Sequence, residues 1–336
     1  MRAFLAALLA ALCCLVAARA AEPERDVTFL VTSDCHYKTG QAKAHNDRNR
    51  ATIKQMNAIA EASWPEKLGG DPVPRPRGVL ILGDVIDDGD RMLEGKNISA
   101  EQFAAFVADF GLDGTDGVAK YRVFEGWGNH DGPPAGAEKF GFSFQSELKK
   151  RNALRKEKGW LAALSENGLH YSWDWDDVHF VHLNIYPADR QHDGIKYSAV
   201  WHNPQGALSF LKDDLAQRVG ATGRPVVLVA HCGFDTDWWH QDDWKAFYDA
   251  AKPYNVVLYM YGHTGTGLRD WAPAGETRPL TCVNTGQTEK GFFVVQIKAS
   301  HVRLAYRIKS KTTTDADAPA WEWAWLKQYD RTRNQR

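Results

Sequence analysis

Five short polar segments each follow directly on a short apolar run, and this coupling constrains the fold more than any other feature of the chain. The segments are Asp34-Cys35-His36, Gly83-Asp84-Val85-Ile86-Asp87, Gly128-Asn129-His130-Asp131, Ala230-His231-Cys232 and Gly262-His263-Thr264-Gly265. The runs before them, residues 27–32, 78–82, 121–124, 225–229 and 256–261, have the length and apolar character of buried strands. Carboxylates, imidazoles and one carboxamide are thus delivered to the same end of several strands. In an open α/β sheet that end is where sites are built. Hard and borderline ligands brought together in this way suit one or two divalent cations.

Composition narrows the partners. Lys plus Arg (41) nearly balance Asp plus Glu (42), so no global field draws the chain to nucleic acid or to a membrane surface. A hydrophobic fraction of 44% with 13 Trp, in 336 residues, is that of a globular protein with a sizeable core. Residues 1–20 read as a secretory signal: Arg2, an apolar stretch over 3–18, then Ala18-Arg19-Ala20 with small residues at −3 and −1. The apolar stretch is short for a membrane span, and no later stretch is long enough, so cleavage after Ala20 would leave no transmembrane anchor. The expected location is periplasmic or secreted. Three cysteines then remain, Cys35, Cys232 and Cys282, an odd number that demands at least one free thiol or an intermolecular bridge. A Cys35–Cys232 disulfide and three buried thiols both stay open.

The rest of the chain reads as one α/β domain over residues 26–310. Helices are expected over 50–64, where Ile53, Met56, Ile59 and Ala60 recur at helical spacing, and over 100–110, 208–219 and 244–251. Ser99 with Gln102 has the spacing of a capping box. Residues 171–184 and 292–308 alternate as two β-hairpins. The polar stretch from 311 ends in Trp321, Trp323, Trp325 and Leu326, expected to dock a C-terminal tail (311–336) on the domain.

Each polar segment has an ordinary reading by itself: a turn Asp bonded to its own backbone, a turn His, a satisfied core His. Their joint occurrence in order argues otherwise. Asp34 and His36 lie two apart, so at a strand end both can face one side. Gly83 lets the backbone turn sharply ahead of Asp84, whose two oxygens can bridge cations about 3.5–4 Å apart. The neutral oxygen of Asn129 keeps the cluster from becoming too negative for a phosphate dianion. His130 is then free to stay off the metal as a general acid or a phosphate-orienting donor, and a poor alkoxide leaving group needs such a donor. His231 and His263 each end a strongly apolar strand.

The order Asp-x-His, Gly-Asp-x-x-Asp, Gly-Asn-His-Asp, His, Gly-His-x resembles that of the calcineurin-like metallophosphoesterases, over residues 27–308. The resemblance implies a four-layer αββα sandwich, two facing mixed β-sheets flanked by helices. It also implies one cation on Asp34, His36 and Asp84 and another on Asp84, Asn129, His231 and His263. A bridging hydroxide would be the nucleophile and His130 the catalytic acid. Mn, Fe or Zn suits such ligands. One departure stands out: the family's last segment usually reads Gly-His-x-His, and this chain has Gly265 there. Substitution by His45, His192 or His202, a single-metal enzyme and an inactive descendant all stay open. Asp87 stands where purple acid phosphatases place a Tyr, which argues against that type.

The expectation is an exported metal-dependent phosphoesterase acting on a small phosphate ester or a lipid head group, with no nucleic-acid partner. The alternative is a non-catalytic binding protein on the same scaffold. Trp127, Trp238, Trp239 and His240 are candidates for an aromatic wall, and Arg48, Arg50 and Arg269 for phosphate contacts. Asn97-Ile98-Ser99 is a glycosylation acceptor, relevant only in a eukaryotic secretory route.

Overall fold

The computed structural model describes residues 25–89, 92–133, 141–195, 206–234, 236, 238–310 and 320–330; the expected leader and His202 lie outside them. The strands, in chain order, are β1 (Asp26–Thr32), β2 (Gly78–Ile81), β3 (Met92–Leu93), β4 (Lys96–Asn97), β5 (Arg122–Glu125), β6 (Ala163–Leu164), β7 (Tyr171–Trp175) and β8 (Val178–His182). They continue with β9 (Pro225–Val229), β10 (Asn255–Tyr261), β11 (Thr266–Trp271), β12 (Leu280–Thr285), β13 (Gly291–Lys298), β14 (His301–Lys309) and β15 (Trp321–Asp330). The main helices are α1 (Ala44–Asn57), α2 (Ser99–Phe110), α3 (Phe144–Glu157), α4 (Ala207–Asp214) and α5 (Gln241–Ala251).

Two mixed sheets result, ordered β15-β14-β13-β1-β2-β5 and β11-β12-β10-β9-β8-β7-β6. β1, β2 and β5 run parallel, as do β8, β9, β10 and β12, with antiparallel strands at the flanks. Every residue of β2, β9 and β10 is buried, as expected of strands covered on both faces. Side-chain parity explains the coverage. Phe29, Val31 and Leu80 of the first sheet share one apolar cluster with Phe180, Val227 and Met260 of the second. Their neighbours Leu30, Val79, Val226 and Leu228 join a different cluster with Ile53, Phe106, Leu211 and Phe247 of the helices. Sheet packs on sheet and helices cover both outer faces, so the fold is the expected four-layer αββα sandwich.

Several local expectations change. α1 starts at Ala44 and stops at Asn57, and a 3-10 turn at Ile59–Glu61 follows it. Ser99 and Gln102 form no capping box, because their side chains turn outward from the helix end to grip Asp88. Ser99 Oγ donates to the Asp88 carbonyl (2.9 Å) and Gln102 Oε1 accepts its N–H (3.2 Å). The three cysteines are free and buried, so no disulfide joins Cys35 to Cys232; Cys35 Sγ lies 3.1 Å from Thr288 Oγ1 instead. Of the expected C-terminal tail, residues 320–330 are described, and they hold β15, an edge strand antiparallel to β14.

Candidate metal centre

The segments after β1, β2, β5, β9 and β10 meet at one end of the sandwich, and their backbones are held in an uncommon conformation. Asp34 (φ 50°), His36 (44°), Asp84 (51°) and His263 (70°) are four of the eight non-glycine residues with positive φ among the described residues. Each such residue costs of order 1–3 kcal/mol and persists only where its surroundings over-determine it. They do so here: Asp34 N–H donates to the Gly83 carbonyl (3.1 Å), His36 N–H to the Asp84 carbonyl (3.0 Å) and His263 N–H to Asp34 Oδ2 (3.0 Å). Buried Asp131 ties the third loop to the second, accepting the N–H groups of Ile86 (2.8 Å) and Gly128 (2.7 Å). Burial, then the nearby Asp84 carboxylate, push the Asp131 carboxyl well above its ordinary range.

Asp84 lies at the centre. Its Oδ2 is 3.2 Å from His231 Nε2 and 3.8 Å from His36 Nε2, and its Oδ1 accepts the His130 N–H (2.8 Å). His36 Nε2 is also 3.8 Å from Asp34 Oδ1, and His231 Nε2 is 2.9 Å from Asn129 Oδ1. Potential ligand atoms of Asp34, Asp84 and His231 lie within 4.8 Å of one another, as do those of His36, Asp84 and His130, and of His231, Cys232 and His263. The His231 and His263 rings stand 5.1 Å apart. All seven residues singled out in the sequence therefore reach one centre. Asp34, Asp84 and His231 are buried there, whereas His130 is exposed.

These donors fit a cation. His231 Nδ1–H donates to the Leu82 carbonyl (2.7 Å), which turns Nε2 toward two oxygens, the Asn129 carboxamide and the Asp84 carboxylate. Three acceptors aimed at one point repel unless something positive lies among them. Without a metal, a proton on His231 serves. Burial would lower its pKa, but Asp84 and then Asp34 outweigh burial and lift it to about 9. His36 behaves likewise: burial opposes its charge, yet Asp34, Asp87 and Asp84 lift it to about 10. Burial, then the charge on His231, push His263 down to about 4, so it stays a neutral donor. Burial would raise Asp84, but the surrounding imidazoles hold it well below the ordinary carboxylate range.

At Gly265 neither of the two described candidates, His45 or His192, supplies a replacement ligand. A Cβ placed there would meet nothing within 4 Å. His45 instead bonds the Cys35 carbonyl (2.8 Å) and pairs with Glu289 (3.1 Å), while His192 pairs with Asp243 (3.0 Å) and stacks on His240. The expected aromatic wall does not form as such. Trp127 and Trp239 are core residues whose indole N–H groups donate to the carbonyls of Gly132 and Gly233 (both 3.0 Å). His240 caps α5. Of the four, Trp238 meets a site residue, edge-on to His263 at 5.4 Å. Arg48 and Arg50 are engaged by Glu289 (2.6 Å) and Asp109 (2.8 Å), and Arg269 lies over the Tyr261 ring (5.7 Å).

Some residues escaped the sequence reading. The Asp87 carboxylate bridges His36 Nδ1 (3.3 Å) and Lys38 Nζ (3.1 Å), and its backbone carbonyl accepts from His130 Nδ1 (2.8 Å). Ser99 and Gln102 of α2, by gripping Asp88, hold the loop that orients both imidazoles. Asp87 was legible as a carboxylate in the motif, but its partners were not. Gln287 and Lys290, far along the chain, line the same cleft of about 330 Å³ as Asp34, His36, Asp84, His130 and His263.

A family model described as calcineurin-like phosphoesterase matches residues 27–266. No curated protein matches the chain significantly. Among solved structures, GAP50, the anchor in the inner membrane complex of Plasmodium, aligns with TM-score 0.49 at 10% identity over 90% of each chain. TT1561 of Thermus thermophilus aligns with TM-score 0.39 at 11% identity over 90% of this chain and 99% of its own. Vacuolar Protein Sorting 29 from Cryptosporidium parvum aligns with TM-score 0.30 at 9% identity over 91% and 99%.

Proposed function

Since the chain belongs to the calcineurin-like phosphoesterase family, we propose that it is a metal-dependent hydrolase of phosphate mono- or diesters. The observation that carries this reading is the meeting of Asp84 with Asn129 and His231 on one side and His36 on the other. Asp34, His36 and Asp84 would hold one cation, and Asp84, Asn129, His231 and His263 a second, as Mn, Fe or Zn. Such cations, when bound, polarise a phosphoryl oxygen and supply an activated water at neutral pH.

The chain's own residues do the rest. In hydrolysis water oxygen ends on phosphorus, the ester bond breaks, and the departing alkoxide needs a proton. His130 is the exposed imidazole of the cleft, and its Nδ1–H is already given to the Asp87 carbonyl (2.8 Å). The proton it can transfer is therefore the one on Nε2, and the neutral tautomer left behind keeps its bond to Asp87. The Asp87 carboxylate lies 3.3 Å from His36 Nδ1, while His36 Nε2 faces Asp34 and Asp84. The proposal includes export: residues 1–20 would be removed and the enzyme would act in the periplasm or outside the cell, on a small phosphate ester or a lipid head group rather than nucleic acid.

Gly265 favours a second reading, a non-catalytic binding protein. Metal analysis of the purified protein decides between them, with hydrolysis of p-nitrophenyl phosphate and its bis-ester measured as Mn²⁺ is added back. Metal-dependent turnover is expected. A protein that holds no metal and cleaves neither ester is the binding protein. His130→Ala should keep its metal while turnover of poorly leaving esters falls about 10²–10⁴-fold; parallel loss of metal would contradict the role given to His130.

A further inference from the structure

We infer that the opening at Gly265 is a second anion subsite, so that the preferred substrates are compact phosphomonoesters whose leaving group carries another anionic group. This inference rests on the phosphoesterase reading. The cleft has two walls. One is the metal centre; the other is formed by Thr264, Gly265, Thr266, Gly286, Gln287 and Lys290. Among the described residues no large apolar or aromatic side chain lines that second wall, so it offers nothing to an acyl chain or a stacked base. The cleft's volume, about 330 Å³, is at the small end for ligand pockets, which suits a compact polar molecule.

Charge selects the kind of group. Among the described residues Lys290 is the sole ammonium or guanidinium side chain lining the cleft, and it is exposed, so its charge is free to meet an incoming anion. Its neighbour Glu289 does not neutralise it, being engaged by Arg48 (2.6 Å) and His45 (3.1 Å). No ion pair ties Lys290 down among the described residues. Exposed Gly265, where a side chain would meet nothing within 4 Å, lines the same cleft as Lys290, Asp34 and His36 and leaves open space beside it. A phosphoryl group at the metal centre would thus leave room on that side for a carboxylate or second phosphate within reach of an ammonium and a carboxamide.

Two esters of similar alcohols test this with the full mature chain and Mn²⁺: ethyl phosphate, and 2-phosphoglycolate, which adds a carboxylate. The expected result is at least about a tenfold higher kcat/KM for 2-phosphoglycolate, carried mainly by KM. Lys290→Ala should lower kcat/KM for 2-phosphoglycolate about tenfold more than for ethyl phosphate. Equal kcat/KM for the two esters, or equal losses in Lys290→Ala, would overturn the subsite. Calorimetric binding of the non-hydrolysable phosphonoacetate gives a readout apart from turnover. Binding that weakens about tenfold in Lys290→Ala supports the subsite even if no ester is cleaved, in which case the catalytic reading alone fails; binding indifferent to Lys290 overturns the subsite.

Discussion

Gly83 and Gly128 lie back to back beneath Asp84, and neither tolerates a side chain. A Cβ on Gly128 would lie 2.3 Å from both the backbone N and Oδ1 of Asp84, and one on Gly83 would lie 2.8 Å from His231 Nδ1. Contacts of that kind cannot be absorbed without moving the central carboxylate. Gly128→Ala should therefore reduce bound metal and cut kcat/KM by about 10²-fold or more, since a 1 Å misplacement at a reacting centre has that effect. Circular dichroism should show the fold retained; unchanged metal content in a folded variant would contradict the role assigned to Gly128. At this scale the sequence was most informative. Gly-Asp and Gly-Asn pairs after apolar runs announce tight turns that present a polar side chain. Asp87, Lys38 and Lys290 were less legible, because a charged residue in a loop says nothing of the group it will face until the chain has folded.

α3 illustrates why whole elements escaped the reading. Its sequence, FQSELKKRNALRKE, lacks the apolar stripe of an amphipathic helix, yet Arg151 and Arg155 are buried. Both clamp Glu125, the last residue of β5 and itself fully buried: Arg151 Nε lies 2.6 Å from Oε1, and the Arg155 guanidinium bonds Oε2. An ion-paired interface takes the place of the apolar one that periodicity detects. Burial would raise the Glu125 pKa, but the two guanidinium groups overcome it and lower it to about 2 from an ordinary 4.5. A depressed carboxylate contributes stability that is fully present above pH 4.5 and is lost as pH falls through 2. Glu125→Gln strands two buried cations and should cost about 3–5 kcal/mol near pH 7. The gap from wild type in thermal unfolding should narrow between about pH 5 and pH 2. A constant gap would mean that Glu125 is not charged in the folded protein. By contrast β1, β2, β9 and β10 were legible because unbroken apolar runs of that length have few other fates.

At the scale of the molecule, the centre joins two sheets. Asp34, Asp84 and Asn129 follow strands of the first sheet, and His231 and His263 follow strands of the second. A cation shared among them would bind the folded state and not the unfolded chain, so its removal should destabilise the whole sandwich. At free metal about a hundredfold above Kd the effect is about 2.7 kcal/mol. Chelation should accordingly lower Tm by on the order of 5 °C, and Asp84→Asn should abolish the chelator's effect; a Tm indifferent to chelator in a metal-loaded preparation would refute the shared site. The facing of the sheets was expected from the resemblance, whereas the edge strands β11 and β15 were not foreseen. Short or irregular edge strands carry little pattern, and β15 is interrupted by a register shift opposite Leu304/Tyr306.

The division of donors between the sheets has a bearing on how a shared ion would be held. The loops of the first sheet contribute three oxygen donors and one imidazole, a set agreeable to hard ions such as magnesium or manganese. Those of the second sheet add two imidazoles, donors that suit borderline ions such as zinc or iron. Prising the two halves apart would therefore release any ion that draws on both.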